Sequence, residues 1–204
     1  MNFLEFKSRF FTQKAFSKKD IAKEWPDFNF VNLVNWQKKG YLVRLRNTWY
    51  AFPDSLQTEA DLFLLANRLR GPSYVSLETA LRYYHFIPES VFSTISITTS
   101  KPAEWQTPAG HFVYRSIQPS LFFGYRTEQQ QQVSFNIADP EKSLLDLLYF
   151  NPKLLEVADF EGFRLNKIEI SAKINFSKIE NYLSLIASPT LETRWFGLNK
   201  FLSQ

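Results

Sequence analysis

The sequence predicts an α+β protein in which a small basic unit precedes a larger mixed unit. Residues 1–53 carry short amphipathic segments, typical of helices, and then an alternating segment typical of a hairpin. Residues 58–204 switch between helix signals and strand-like runs separated by Gly and Pro. Charge divides in the same way, with net +6 in residues 1–53 and −2 in residues 54–204, which together give the net charge of +4.

Composition limits the protein classes that remain. A chain of 204 residues is long enough for one or two domains with real cores. No run of apolar residues approaches the length of a membrane-spanning helix, and the start MNFLEFKSRFF lacks the pattern of a signal peptide. The chain has no cysteine, which excludes disulfides and thiolate metal sites. We therefore expect a cytoplasmic protein.

The N-terminal unit reads as three short helices. The first is expected from Asn2 to Phe11. Ser17, with Asp20 three residues later, has the spacing of a capping box that opens the second helix. The third is expected to begin near Asn29 and to end at Gly40, where a left-handed residue is favoured.

A hairpin is predicted directly after the third helix. The segment YLVRLRNTWYAF, residues 41–52, alternates apolar and polar residues, and Arg46-Asn47 can form its turn because asparagine tolerates positive φ. Three helices followed by a two-stranded hairpin predict a winged helix-turn-helix domain over residues 1–53.

The remaining residues, 58–204, read as a mixed domain. Helices are expected from Thr58 to Arg70, after Ser76 as cap, and after Asp139 as cap with Pro140 in the first turn. The segments expected to be strands are residues 91–100, 110–117, 121–128 and 132–139, and those expected to be closing helices are residues 176–186 and 189–202.

Residues suited to catalysis form no recognisable motif. The two histidines, His85 and His111, lie in different elements without metal-ligand spacing, and no phosphate-binding glycine loop or nucleophile motif occurs. Asp139, Glu141 and Asp146 are interpreted as helix-start and packing residues rather than as a catalytic cluster. We expect no enzyme activity, no cofactor and no metal. An enzyme remains an alternative if a pocket gathers Arg115, Glu141 and Lys142 around a phosphate.

The N-terminal unit carries polar side chains where a DNA-reading domain needs them. Asn29, Asn32 and Asn35 recur every three residues along the third helix, and asparagine can make paired hydrogen bonds to adenine in the major groove. Cations flank that helix and extend into the hairpin, where they suit phosphate contacts. The predicted DNA-binding residues are Lys18, Lys19, Asn29, Asn32, Asn35, Lys38, Lys39, Arg44, Arg46 and Asn47.

Other interpretations of this unit stay open. An asparagine-rich solvated helix beside a charged edge strand would show the same residues, because edge strands often carry charge. Winged domains also bind proteins.

The second unit resembles a known family through three stretches. These are YVSLETAL (74–81), TPAGHFVYRSIQPSLFFG (107–124) and ADPEKSLLDLL (138–148). Their order resembles that of the AbiEi-type antitoxins of type IV toxin–antitoxin systems, which act in abortive infection. The family also places a winged helix-turn-helix in front, ending in a segment similar to KKGYLVRLRNTWYAF. Its wings often have glycine where Asn47-Thr48 stand here.

The resemblance implies a two-part protein. An N-terminal winged domain would bind operator DNA and repress its own operon, and the C-terminal domain, residues 58–204, would act as the antitoxin. The functional partner would be a nucleotidyltransferase-like toxin, counteracted without a stable complex. A protein that binds its partner directly, or a plain transcriptional regulator, are the alternatives. The last fifty residues match poorly, so nothing is implied for them.

Overall fold

The computed structural model describes residues 2–88 and 92–204, and it shows a mixed α+β fold. We call residues 2–53 the N-terminal unit and residues 58–204 the second unit. The N-terminal unit consists of α1 (Phe3–Phe10), β1 (Phe16–Ser17), α2 (Lys18–Glu24), α3 (Val31–Lys38), β2 (Val43–Arg46) and β3 (Trp49–Ala51).

Local signals explain where the first helices begin and end. The capping box at α2 is confirmed, because the Ser17 side chain accepts from the N–H of Asp20 and the Asp20 carboxylate accepts from the N–H of Ser17. The third helix begins at Val31, two residues later than expected from Asn29. Gly40 follows it with φ +73°, the left-handed conformation that glycine adopts at low cost.

Aromatic rings fill the core of the N-terminal unit. Phe6 on α1 is fully buried, and its ring centroid lies 4.7 Å from that of Trp36 on α3 and 5.4 Å from that of Phe16 on β1. Phe52, at the end of the hairpin, closes the same cluster. The helices and the hairpin are therefore held together by one shared core.

The three short strands form one sheet in the order β1-β3-β2. The hairpin turn lies at Asn47-Thr48, one residue later than expected, and Asn47 has φ +36°. A register shift between Arg44 and Arg46 marks a bulge in β2. Such a bulge changes the direction in which the side chains of a strand point.

The second unit surrounds a six-stranded mixed sheet in the order β6-β7-β5-β4-β9-β8. Pairs β5/β7 and β4/β9 are parallel, and the other neighbouring pairs are antiparallel. Its elements are α4 (Glu59–Leu69), β4 (Ser73–Val75), α5 (Leu77–Tyr83), β5 (Ser93–Thr98), β6 (Ala103–Thr107), β7 (Gly110–Ser116), β8 (Tyr125–Gln130), β9 (Val133–Ala138), α6 (Pro140–Phe150), α7 (Val157–Glu161), α8 (Lys167–Lys173), α9 (Phe176–Ile186) and α10 (Pro189–Leu202).

Several sequence expectations for this unit are confirmed and some are wrong. Asp139 caps α6 as expected, and the two closing helices are confirmed with the expected bounds. Residues 121–124 are not a strand, because a 3-10 turn at Pro119–Leu121 precedes β8. Residue 91, in the first expected strand, lies outside the described residues.

The two units pack against each other through an apolar cluster of their own. Ala15, Leu45 and Ala51 of the N-terminal unit meet Leu65 of α4 and Tyr114 of β7. The Lys14 ammonium lies 2.9 Å from the buried carboxylate of Asp61 at the start of α4. An ion pair and apolar contacts thus hold the N-terminal unit against the second unit. Within residues 2–88 and 92–204, no helix is both long and apolar enough to cross a membrane.

Candidate nucleic-acid interface

Helix α3 presents one buried face and one open face. Leu33 and Trp36 are buried against the aromatic core, and they hold the helix in a fixed rotation. The opposite face is a stripe at helical spacing of i, i+3, i+4 and i+7, formed by Val31, Val34, Asn35 and Lys38. Val31 and Val34 are 59% and 50% exposed, so the stripe has an apolar half beside Asn35 and Lys38. We call these four residues the α3 stripe.

The three asparagines occupy different positions. Asn35 lies on the α3 stripe and is exposed. Asn32 is half-buried beside a groove of about 300 Å³ that Trp25 and Asp27 also line. Asn29 precedes the helix, and its side-chain oxygen accepts a 3.0 Å hydrogen bond from the N–H of Val31. Asn29 thus stabilises the start of the helix, Asn32 is half-buried, and Asn35 is exposed on the α3 stripe. Base reading by the three asparagines stays a prediction.

The lysines predicted to bind phosphate lie at the surface of the N-terminal unit, except for Lys18. Lys19, Lys38 and Lys39 are exposed, and within residues 2–88 and 92–204 no carboxylate forms an ion pair with them. Lys38 and Lys39 lie at the C-terminal end of α3, next to the α3 stripe. Lys18 at the start of α2 is half-buried, with its ammonium 5.2 Å from the centre of the Phe30 ring.

The hairpin turn is held by one of its arginines. Arg44 is exposed, and its Nε donates a 2.7 Å hydrogen bond to the carbonyl oxygen of Asn47. Asn47 itself is exposed at the tip. Arg44 thus stabilises the turn while leaving the rest of its guanidinium at the surface.

Arg46 packs against the second unit, unlike the exposed Arg44. Its guanidinium carbon lies 3.6 Å from the centroid of the Trp105 ring on β6, and its Nη1 donates to the carbonyl oxygen of Leu69 at 3.3 Å. Burial, together with the nearby charge of Arg70, lowers the pKa of Arg46. The sequence pattern puts Arg44 and Arg46 together on the hairpin. In the structure a register shift separates them, and only Arg46 contacts Trp105 of the second unit. Phosphate binding by Arg46 stays a prediction.

The structure therefore brings together part of the predicted set and adds two residues. Asn35, Lys38 and Lys39 lie on or beside the α3 stripe. Val31 and Val34 are not among the residues predicted from the sequence. Their spacing relative to Leu33 and Trp36 is the signal that distinguishes the two faces.

The carboxylates of α6 have structural partners. Asp139 accepts from the N–H of Lys142 at 2.8 Å and from the Tyr182 hydroxyl at 2.6 Å. Glu141 accepts from the N–H of Asn175 at 2.7 Å and from the Lys178 ammonium at 3.0 Å. Burial raises the pKa of Glu141, but these hydrogen bonds outweigh it and hold that pKa below its usual value. Both carboxylates thus attach α9 to α6.

A fully buried polar network continues along α6. The Asp146 carboxylate accepts from the Ser76 hydroxyl at 2.7 Å and pairs with the Lys142 ammonium, which also donates to the Tyr74 hydroxyl at 2.9 Å. Ser76 precedes α5, but its side chain makes no capping hydrogen bond, contrary to expectation, because it serves Asp146 instead. Arg115 is exposed on β7, whereas Glu141 and Lys142 are buried on α6. The three side chains therefore have different surroundings.

Comparison of the chain with models of known protein families found no match, and a search of curated proteins found none either. The geometry of the N-terminal unit is therefore the basis for the DNA-binding function proposed below.

Proposed function

We propose that this protein binds double-stranded DNA through a winged helix-turn-helix domain, with α3 as the recognition helix and the β2–β3 hairpin as the wing. The order of elements supports this, since three helices with one short strand between the first two precede a hairpin. The sheet order β1-β3-β2 joins that strand to the hairpin. The α3 stripe is the observation that carries the proposal.

The chemistry of the α3 stripe suits the major groove. An amide such as Asn35 can pair with an adenine edge, and apolar groups such as Val31 and Val34 can contact thymine methyl groups. Lys38 and Lys39, at the helix end, and Arg44, at the hairpin, are placed to meet phosphates on either side. Contact with thymine methyl groups would explain why two valines are exposed on this face.

We further propose that the protein is an AbiEi-type antitoxin that represses its own operon. This part rests on the resemblance of residues 74–81, 107–124 and 138–148 to that family. The second unit, residues 58–204, would supply the antitoxin activity against a nucleotidyltransferase-like toxin in the cytoplasm, without a stable complex.

DNA binding is tested with the full chain and a labelled duplex of its own upstream region, by fluorescence anisotropy at several salt concentrations. We expect affinity to fall steeply as salt rises, because neutralised phosphates release counterions. The variant Asn35→Ala/Lys38→Ala should bind at least about tenfold more weakly, since it loses one base contact and one phosphate contact.

A matched control keeps this test specific. Lys200→Ala removes an exposed cation from α10 and should leave the affinity unchanged. Absence of binding by folded wild-type protein at low salt would refute the proposal. Equal weakening by both variants would show that only net charge matters, and it would refute α3 as the reader.

The antitoxin role is tested by co-expression with the product of the adjacent reading frame. We expect growth rescue by the full chain but no stoichiometric co-purification with the neighbouring protein. Stable, salt-insensitive co-elution would instead favour the alternative of direct partner binding. Retained DNA binding without rescue would leave a plain transcriptional regulator.

A further inference from the structure

A second concave site lies in the second unit. It is a groove with a volume of about 600 Å³, formed where the end of α5, strand β8 and helix α8 converge beside the first turns of α4 and α6. Five elements that are distant in sequence thus build one depression, which we call the α5–β8 groove. Its volume falls in the range of small-molecule sites.

Three cationic side chains line the groove, and each of them has a carboxylate partner. Residues 54–204 carry net charge −2. Arg82, Arg126 and Lys173 nevertheless line this one groove, with Glu59 as its single lining carboxylate among the described residues. His85 adds a further nitrogen donor at the same wall. The lining therefore offers N–H hydrogen-bond donors of the kind that anions require.

Each of these cations is held in place from one side. Arg126 Nε lies 2.9 Å from Glu128, and Lys173 Nζ lies 2.7 Å from Glu169 and donates to the carbonyl oxygen of Tyr84 at 2.7 Å. Arg82 pairs with Glu59. A side chain that is already oriented loses less entropy when it binds a ligand.

Aromatic side chains form the remaining wall. Tyr83 is half-buried, its ring packs edge-on against Phe63 and Phe135, and its hydroxyl accepts a 3.0 Å hydrogen bond from the Gln130 amide. The ring is therefore fixed while part of it faces the groove. A fixed aromatic wall beside cations suits a ligand that carries a ring as well as negative charge.

We propose that the α5–β8 groove binds a phosphate-bearing anion, either a nucleotide or a free polyphosphate. Arg82, Arg126 and Lys173 contact the phosphates, and Tyr83 contacts the base where one is present. This site is separate from the α3 stripe and does not depend on DNA binding by the protein.

The test is calorimetric titration of the full chain with ATP and, separately, with tripolyphosphate. We expect saturable binding of at least one anion, weakened about tenfold or more in Arg126→Gln and in Lys173→Gln, because each variant removes a charge-assisted contact. Arg126 and Lys173 are partly exposed, so both variants should fold, and circular dichroism checks this. Tighter binding of ATP than of tripolyphosphate identifies a nucleotide as ligand, and equal binding identifies the phosphate chain.

Two controls locate the site. Lys153→Gln removes an exposed cation from the same unit, and Asn35→Ala/Lys38→Ala alters the α3 stripe; both should bind the anions as wild type does. Absence of binding by wild-type protein at low salt would overturn the proposal. Equal loss in Lys153→Gln, or loss confined to the α3 variant, would also overturn it.

Discussion

The central carbon of the Arg46 guanidinium lies 3.6 Å from the centroid of the Trp105 ring. This contact joins the hairpin of the N-terminal unit to the edge strand β6 of the second unit. Arg46 also reaches the carbonyl oxygen of Leu69 at the end of α4. The orientation of the hairpin is therefore set by the second unit as well as by its own core.

Replacing Trp105 with alanine should destabilise the protein. The ring contacts both Arg46 and Tyr114, whose centroid lies 4.9 Å away, so its loss leaves a gap between the units. We expect the free energy of unfolding to fall by about 2–3 kcal/mol, measured by urea denaturation. Gln106→Ala, an exposed neighbour on β6, should change it by less than about 0.5 kcal/mol. Equal effects of the two changes would refute the bridging role of Trp105.

Asn35 and Lys38 should differ in their effect on DNA recognition. If α3 reads DNA as proposed, Asn35→Ala would remove a base-reading amide, and the ranking of operator variants should change. Under the same proposal Lys38→Ala would remove a phosphate contact, so affinity should fall alike for all sequences and the salt slope should drop by about 1. Anisotropy titrations against a set of single-base operator variants measure both effects. A uniform loss from Asn35→Ala would contradict base reading by that residue.

Much of the fold is predictable because its signals are local. Three helix starts depend only on residues within one turn. They are the capping boxes at Ser17 and Thr58, and the Asp139-Pro140 start of α6. Strands β4 and β6 were missed for opposite reasons. All three residues of β4 are buried, which removes any alternation, whereas β6 is a short edge strand with exposed polar residues.

The candidate site was harder to predict because it depends on contacts distant in sequence. Alternation put Arg44 and Arg46 on one side of the hairpin, yet a bulge and the distant Trp105 redirect Arg46. The α5–β8 groove likewise joins residues from α5, β8 and α8, which no single stretch of sequence reveals. Side chains on one short helix, by contrast, follow from its period once Leu33 and Trp36 are assigned to the core.

The unfolding free energy should depend on pH through Asp61. Burial by itself raises the pKa of Asp61, but the Lys14 ammonium and hydrogen bonds from Gln57 and Thr58 outweigh it and hold the pKa below its usual value. The unfolded state then binds the proton more readily. The stabilisation is present above the ordinary pKa of about 4 and is lost as pH falls through and below it.

The variant Asp61→Asn tests this dependence. It should be less stable than wild type by about 1–3 kcal/mol at pH 7, and the difference should shrink as pH falls below about 4. Urea denaturation at several pH values measures this. Asp54→Asn, at an exposed carboxylate paired with Lys7, should cost less than about 1 kcal/mol. A difference between Asp61→Asn and wild type that stays constant with pH would contradict the assignment.

Gly197 should tolerate no side chain, although it lies inside helix α10. In a helix interior, alanine normally replaces glycine with a gain of about 1 kcal/mol. Here a Cβ at position 197 would lie 2.9 Å from the carbonyl carbon of Leu155 and closer still to its oxygen, so the backbone of that segment would have to move. We expect Gly197→Ala to lower the free energy of unfolding by about 1–3 kcal/mol, the cost of overpacking.

Gly162→Ala is the matched control for this prediction. Within the described residues, no atom beyond its chain neighbours lies within 4 Å of the position that a Cβ at residue 162 would take, and its φ of −67° suits any residue. Its stability should equal or slightly exceed that of wild type, by up to about 1 kcal/mol. Urea denaturation followed by tryptophan fluorescence compares the three proteins. If Gly197→Ala matched Gly162→Ala, the close approach of α10 to Leu155 would be refuted, and with it the tight packing of α10 against the rest of the second unit.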